Sequence, residues 1–292
     1  MCDEDSMADM IEYNLQSRGL SRRQFGGLTL GATLMAALSP VANAAETRES
    51  EVEIKTPDGV ADAYFVHPIT GKHPGVLVWP DIFGLRPAFR LMGKRLAESG
   101  YSVLVVNPFY RVRKAPTAPE HPDFNDPPTR QALMGLMNSL TPTTTSTDAK
   151  AFVDYLDGQD ATDRKRRIGT TGYCMGGPLV FRTAAANADR VGAAATFHGG
   201  GLVTDKPDSP HLLIPKMTAH LLIAIAENDD QKQPEAKSVL RDAFAQARLP
   251  AEIEVYKGAL HGWCPPDSQV YNQAQAERAW SQLLILFKAA LA

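Results

Sequence analysis

Thr170-Thr171-Gly172-Tyr173-Cys174-Met175-Gly176-Gly177-Pro178 is the stretch on which the fold turns. A β-rich run (167–172) leads into it and a helical pattern (176–187) leads out. Its centre, Gly172-Tyr173-Cys174-Met175-Gly176, sets one reactive side chain at a tight strand-to-helix turn. Glycines on both sides let the strand and helix pass without a Cβ between them. Pro178 suits the first helical turn, where no amide donor is needed. A thiol at a helix N-terminus is favoured as thiolate. The Met175 N–H at the same terminus can point at a developing oxyanion. Cys174 is therefore a candidate nucleophile, against the plainer reading of a buried structural cysteine.

Outward from this turn, strands are expected at 51–56, 61–67, 75–79, 102–106, 167–172, 191–197, 220–226 and 251–256. Val76-Leu77-Val78-Trp79 and Leu221-Leu222-Ile223-Ala224-Ile225-Ala226 are continuous apolar runs. Such runs suit strands buried on both faces of a parallel sheet. Helical patterns fill 88–98, 129–139, 147–157, 176–187, 235–247 and 270–291. The last carries a stripe of Ala279, Trp280, Leu283, Leu284, Phe287 and Leu291. The alternation predicts an α/β chain with a mostly parallel, doubly wound sheet of about eight strands flanked by helices.

In such sheets the site lies beyond the carboxyl ends of the strands. There the run 220–226 leads into Glu227-Asn228-Asp229-Asp230, and 251–256 leads into the loop holding His261-Gly262-Trp263. The order nucleophile, acid, histidine is that of a triad. His261 takes the Cys174 proton and the acid orients its other nitrogen. Of the remaining histidines, His67, His73, His121 and His211 stand beside prolines and read as loop residues, while His198 closes a strand and is placed to line the pocket. The Pro-rich 111–128 and Gly/Pro-punctuated 198–218 connections read as walls or lids.

Composition narrows the function. The 292 residues are 44% apolar, enough for the core of one large domain. A net charge of −3 argues against a nucleic-acid partner. Three cysteines are too few for a disulfide framework. With no H-E-x-x-H, paired C-x-x-C or strand-following G-x-G-x-x-G, neither a metal nor a cofactor is expected. Near the start, Arg22-Arg23 precede an apolar run from Gly26 to Leu38, and Ala42-Asn43-Ala44 forms an A-x-A cut site. These features mark 1–44 as an export signal and 45–292 as a single domain. The arginine pair resembles the twin-arginine signal, which implies the matching export machinery as a transient partner and a periplasmic or secreted product. Retention of the segment as an anchor stays open, as does monomer or dimer.

Taken together, five segments resemble the dienelactone hydrolase family of α/β-hydrolases: Trp79-Pro80-Asp81-Ile82-Phe83-Gly84-Leu85, Asn107-Pro108-Phe109-Tyr110-Arg111, Gly172 to Gly177, Ala226-Glu227-Asn228-Asp229 and His261-Gly262-Trp263. The resemblance implies the α/β-hydrolase fold and hydrolysis of small lactones or activated esters. It assigns Cys174 as nucleophile, Asp229 as orienting acid, His261 as base, and the Ile82 and Met175 amides as oxyanion hole. Asp81 stands where the family has a Glu that contacts the resting thiol. Pro265 stands where founding members carry a carboxylate-binding arginine, so Arg111 or Arg113 is expected to supply half of that clamp. Tyr110, Phe83 and Trp263 are further candidates to touch substrate. Counting from the strand selects Asp229 as the acid; counting back from Pro234 selects Asp230. A thioesterase or general carboxylesterase, a cysteine protease, and a non-catalytic small-molecule binding protein are the alternatives.

Overall fold

The structure is a computed structural model that describes residues 38–119, 124 and 126–292. Most of the expected export signal lies outside these residues. Eight strands form one sheet in the order β1-β2-β4-β3-β5-β6-β7-β8. They are β1 Thr47–Thr56, β2 Gly59–Pro68, β3 Gly75–Trp79, β4 Ser102–Val106, β5 Ile168–Tyr173, β6 Val191–Phe197, β7 His220–Ala226 and β8 Ala251–Tyr256. The helices are α1 Pro87–Glu98, α2 Pro127–Met137, α3 Pro142–Asp157, α4 Gly176–Ala186, α5 Glu227–Lys232, α6 Ala236–Ala247 and α7 Gln273–Ala290, with a 3₁₀ segment at Pro210–Lys216.

β1 and β2 pair antiparallel and β2 meets β4 antiparallel; from β4 onward every pairing is parallel. The unbroken apolar runs do what their pattern predicts. All five residues of β3 and all seven of β6 are buried, because helices cover both faces. On one face α7 buries Ala279, Leu283 and Phe287 of the expected stripe. A Cβ at Gly169 of β5 would stand 2.8 Å from the Phe287 ring, so the helix can dock only against a bare backbone there.

Among the departures from the expected bounds, which include a β1 that starts four residues early at Thr47, two have clear local reasons. α3 begins at Pro142, not 147, because Thr141 and Thr144 form a capping box that offsets the low helix propensity of a Thr-rich turn. The acids after β7 lie on a short helix, α5, rather than in an open loop. The chain leaves β3 toward β4 on one side and returns to β5 on the other. The crevice opens where the strand order reverses, at the carboxyl ends of β3 and β5.

Candidate active site

The elbow after β5 is held in the left-handed region at Cys174, with φ at 53°. A non-glycine residue there carries strain of about 1 kcal/mol or more, which the surroundings must sustain. They leave no alternative path. A Cβ on Gly172 would meet the Gly176 carbonyl at 2.3 Å, and one on Gly176 would meet the Trp79 carbonyl at 2.5 Å. The Cys174 N–H donates to the Phe197 carbonyl at 3.0 Å, pinning the turn to β6. Cys174 is disulfide-bonded in this structure. Cys264 is not its partner: that thiol is free, buried, and pushed up in pKa by its burial.

Asp229 and His261 meet. His261 Nδ1 lies 2.7 Å from Asp229 Oδ2, and the imidazole is buried. Asp230 turns away and pairs with Lys237 Nζ at 2.6 Å. Counting from the strand selects the residue that reaches the histidine; counting back from Pro234 does not. The extra residue before Pro234 is absorbed by α5, whose turn separates the two neighbouring carboxylates. The same helix fixes the histidine loop twice more, through residues the sequence reading left unassigned. Asn228 Oδ1 accepts from the His261 N–H at 2.9 Å, and Glu227 accepts from the Gly258 N–H at 3.0 Å.

The 81–84 turn faces the elbow from the end of β3. Within it the Phe83 N–H donates to Asp81 Oδ1 and the Gly84 N–H to the Asp81 carbonyl, each at 2.9 Å. That leaves the Ile82 N–H uncommitted. Neither Ile82 nor Met175 donates a backbone hydrogen bond among the described residues. Asp81 itself differs from expectation. Instead of turning to the thiol, both its oxygens take Arg86, at 2.6 and 3.0 Å, and Arg86 continues to Asp267 in the histidine loop. A carboxylate one methylene shorter than Glu is held back by the neighbouring cation. Burial nevertheless pushes the Asp81 carboxyl up, with Arg86 opposing that shift.

The arginine clamp is also corrected. Arg111 is saturated: it grips both oxygens of Asp148, at 2.6 and 2.7 Å, and also holds Asp58. Tyr110 donates to the same Asp148 at 2.7 Å and sits within the core, so it serves this network rather than an open pocket. Arg113 is exposed, and its carbonyl accepts from Asn107. Phe83 is partly buried beneath the Arg86 guanidinium. Trp263 is fully buried and stacks on Tyr256, with ring centroids 5.2 Å apart.

His198 stands beside His261. Its φ is 42°, its side chain is buried, and its ring meets His261 edge-on at 5.2 Å and Trp263 at 5.0 Å. Neither of its ring nitrogens has a hydrogen-bond partner among the described residues. Burial, and secondarily the neighbouring His261, pushes its pKa well down, so the ring is neutral. No group of His, Cys, Asp and Glu suited to a metal ion occurs among the described residues.

Comparison with known proteins agrees with this architecture. Residues 61–291 match the family model described as "Dienelactone hydrolase family". A Bradyrhizobium protein named "Probable 2-oxo-3-(5-oxofuran-2-ylidene)propanoate lactonase" is 26% identical over 231 residues, which cover 77% of this chain and 88% of the relative. The carboxymethylenebutenolidase of Rhodococcus opacus is 26% identical over 75% of this chain and 82% of its own. Among solved structures, a dienelactone hydrolase-like promiscuous phosphotriesterase from metagenomic libraries superposes with a TM-score of 0.68 at 20% identity. That match covers 84% of this chain and 99% of the other.

Proposed function

The chain belongs to the dienelactone hydrolase family, a family of hydrolases, and from that premise we propose that it cleaves ester bonds of small lactones or activated esters through Cys174, His261 and Asp229. The observation that carries this reading is the 2.7 Å contact from His261 Nδ1 to Asp229, which lies at the same carboxyl edge of the parallel sheet as the strained Cys174 turn. A histidine so oriented presents its other nitrogen as the proton carrier.

The reacting species is reduced Cys174. His261 takes the thiol proton, and the sulfur attacks the ester carbonyl carbon. Negative charge gathers on the carbonyl oxygen, toward which the Ile82 and Met175 amides are available as donors. Collapse of the tetrahedral intermediate breaks the carbonyl carbon–oxygen bond. His261 returns the proton to the leaving alkoxide, which in a lactone stays tethered to the thioester. Water then attacks the thioester with His261 as base, releasing the carboxylic acid and restoring the thiol.

The test is a panel of lactones, aryl esters and thioesters assayed under reductant with wild type and Cys174→Ala. Complete loss of turnover in a cooperatively folding alanine variant is expected. More than trace activity in that variant refutes the nucleophile assignment, and a binding-only protein would turn over nothing in either form. We also propose that the Arg22-Arg23 segment exports the folded chain, with cleavage after Ala44. Replacing both arginines by lysine should strand active precursor in the cytoplasm. Undiminished export of that variant would sink the twin-arginine reading.

A further inference from the structure

Most inward-facing arginines of this molecule hold carboxylates: Arg86, Arg95, Arg111 and Arg190 each form an ion pair. Arg182, on α4, forms none. Its Nε is buried with no hydrogen-bond partner, and no carboxylate comes within 4.0 Å among the described residues. Desolvation pulls its guanidinium below the usual arginine value, with Asp208 opposing from a distance. A cation held this way lowers stability until an anion satisfies it.

Arg182 opens onto a cavity of about 250 Å³. Met137, Leu140, Met175 and Leu179 give it an apolar lining, and Lys206 and Asp208 stand with Arg182 as its charged members. Two cations against one carboxylate leave the lining one charge positive. Met175 belongs to this cavity and to the elbow alike. From Met175 to Arg182 is two helical turns, about 10 Å along the axis, and side chains on a helix lean back toward its N-terminus. Met175, Leu179 and Arg182 thus line one cavity from the same side of the helix.

We propose that this cavity is the acyl subsite, and that it takes a linear acyl group ending in a carboxylate several methylenes from the reacting carbonyl. The chain lies on Met175 and Leu179, and the distal carboxylate pairs with Arg182, with Lys206 assisting at the rim. This specificity rests on the reading of Cys174 as nucleophile. It places anion recognition on the helix that follows the elbow, not on the Arg111 segment, whose cation is already spent.

The probes are the 4-nitrophenyl monoester of adipic acid and 4-nitrophenyl hexanoate, equal in acyl length and differing in the terminal charge. The quantity read is the ratio of their kcat/KM values under reductant, which cancels any general loss of activity or folded fraction. Wild type should favour the anionic ester by about 10-fold or more, the worth of one charge-assisted hydrogen bond. Arg182→Gln should collapse that preference, chiefly through KM, Arg182→Lys should restore part of it, and Asp208→Asn should increase it. An equal ratio in wild type and Arg182→Gln overturns the proposal. If wild type hydrolyses neither ester, the hydrolase reading fails separately, and titration calorimetry of adipate into Cys174→Ala decides the subsite. Binding that disappears on adding Arg182→Gln supports it; absent or unchanged binding refutes it.

Discussion

On the proposed reading the site has a reacting half and a recognising half, and they are built on different principles. The reacting half hangs on three strand ends: the elbow after β5, the acid after β7 and the histidine after β8. Each residue sits within a few positions of a parallel strand, so chain spacing alone brings Cys174, Asp229 and His261 to one edge. The recognising half depends on which side chain meets which. Arg111 and Arg182 are both withdrawn from solvent, yet Arg111 grips Asp58 and Asp148 while Arg182 has only distant Asp208. The same residue type is mortar in one place and an unfilled valence in the other.

The largest expected effect tests the reacting half. Asp229→Asn should lower kcat by up to about 10⁴-fold, the cost of a mis-set histidine tautomer in a Ser-His-Asp triad on an unrelated fold. Asp230→Asn, which severs only the surface pair with Lys237, should change kcat little. Steady-state kinetics of the two variants decide it. A larger loss at Asp230 would mean that the acid loop rearranges in solution.

The second prediction turns the comparison of arginines into a measurement. Arg111→Gln leaves Asp148, which is only 2% exposed, without its cation. Stranding a buried carboxylate should cost about 3 kcal/mol of stability, read as a lower urea midpoint, while the ester preference defined by Arg182 stays in place. A changed preference at undiminished stability would return Arg111 to the substrate-binding role that the sequence resemblance implies.

Much of the reacting half was legible because backbone rules govern it. The glycine pattern 172–176 dictates a turn, and continuous apolar runs dictate buried parallel strands. Asp229 followed from counting along β7 even though α5 was not foreseen, since a helix beginning at Glu227 still leaves the third residue facing the neighbouring loop. The recognising half was not legible, because ion-pair choice is a long-range matter. Nothing near Arg111 in sequence announces Asp58 or Asp148, and nothing near Asp81 except Arg86 warns that its carboxylate is claimed. Asn228 had a signal, its place beside the acid, but its bond to the His261 N–H depends on two loops meeting. Arg182 gave none: on a helix it reads as an ordinary exposed cation until the 137–142 and 201–210 segments close around it.

His198 supplies the smallest effect and joins the two halves, since it is a buried polar group set against His261. Its pKa is pushed well below 6.5 in the folded chain, first by burial and then by His261. In the unfolded chain the ring titrates near its ordinary value, so below pH 6.5 the unfolded state binds more protons than the folded one. Stability from keeping this ring neutral is thus complete above that pH and lost as pH falls, by about 1.4 kcal/mol per unit until the folded-state value is reached. His198→Phe keeps the edge-on ring contact and removes the proton site. Urea denaturation of wild type at pH 7.5 and 5.5 should show a fall of about 1 kcal/mol beyond that of the phenylalanine variant over the same interval. Equal falls would mean that His198 protonates in place, and that the neutral, unpartnered ring beside His261 is not how this site is held.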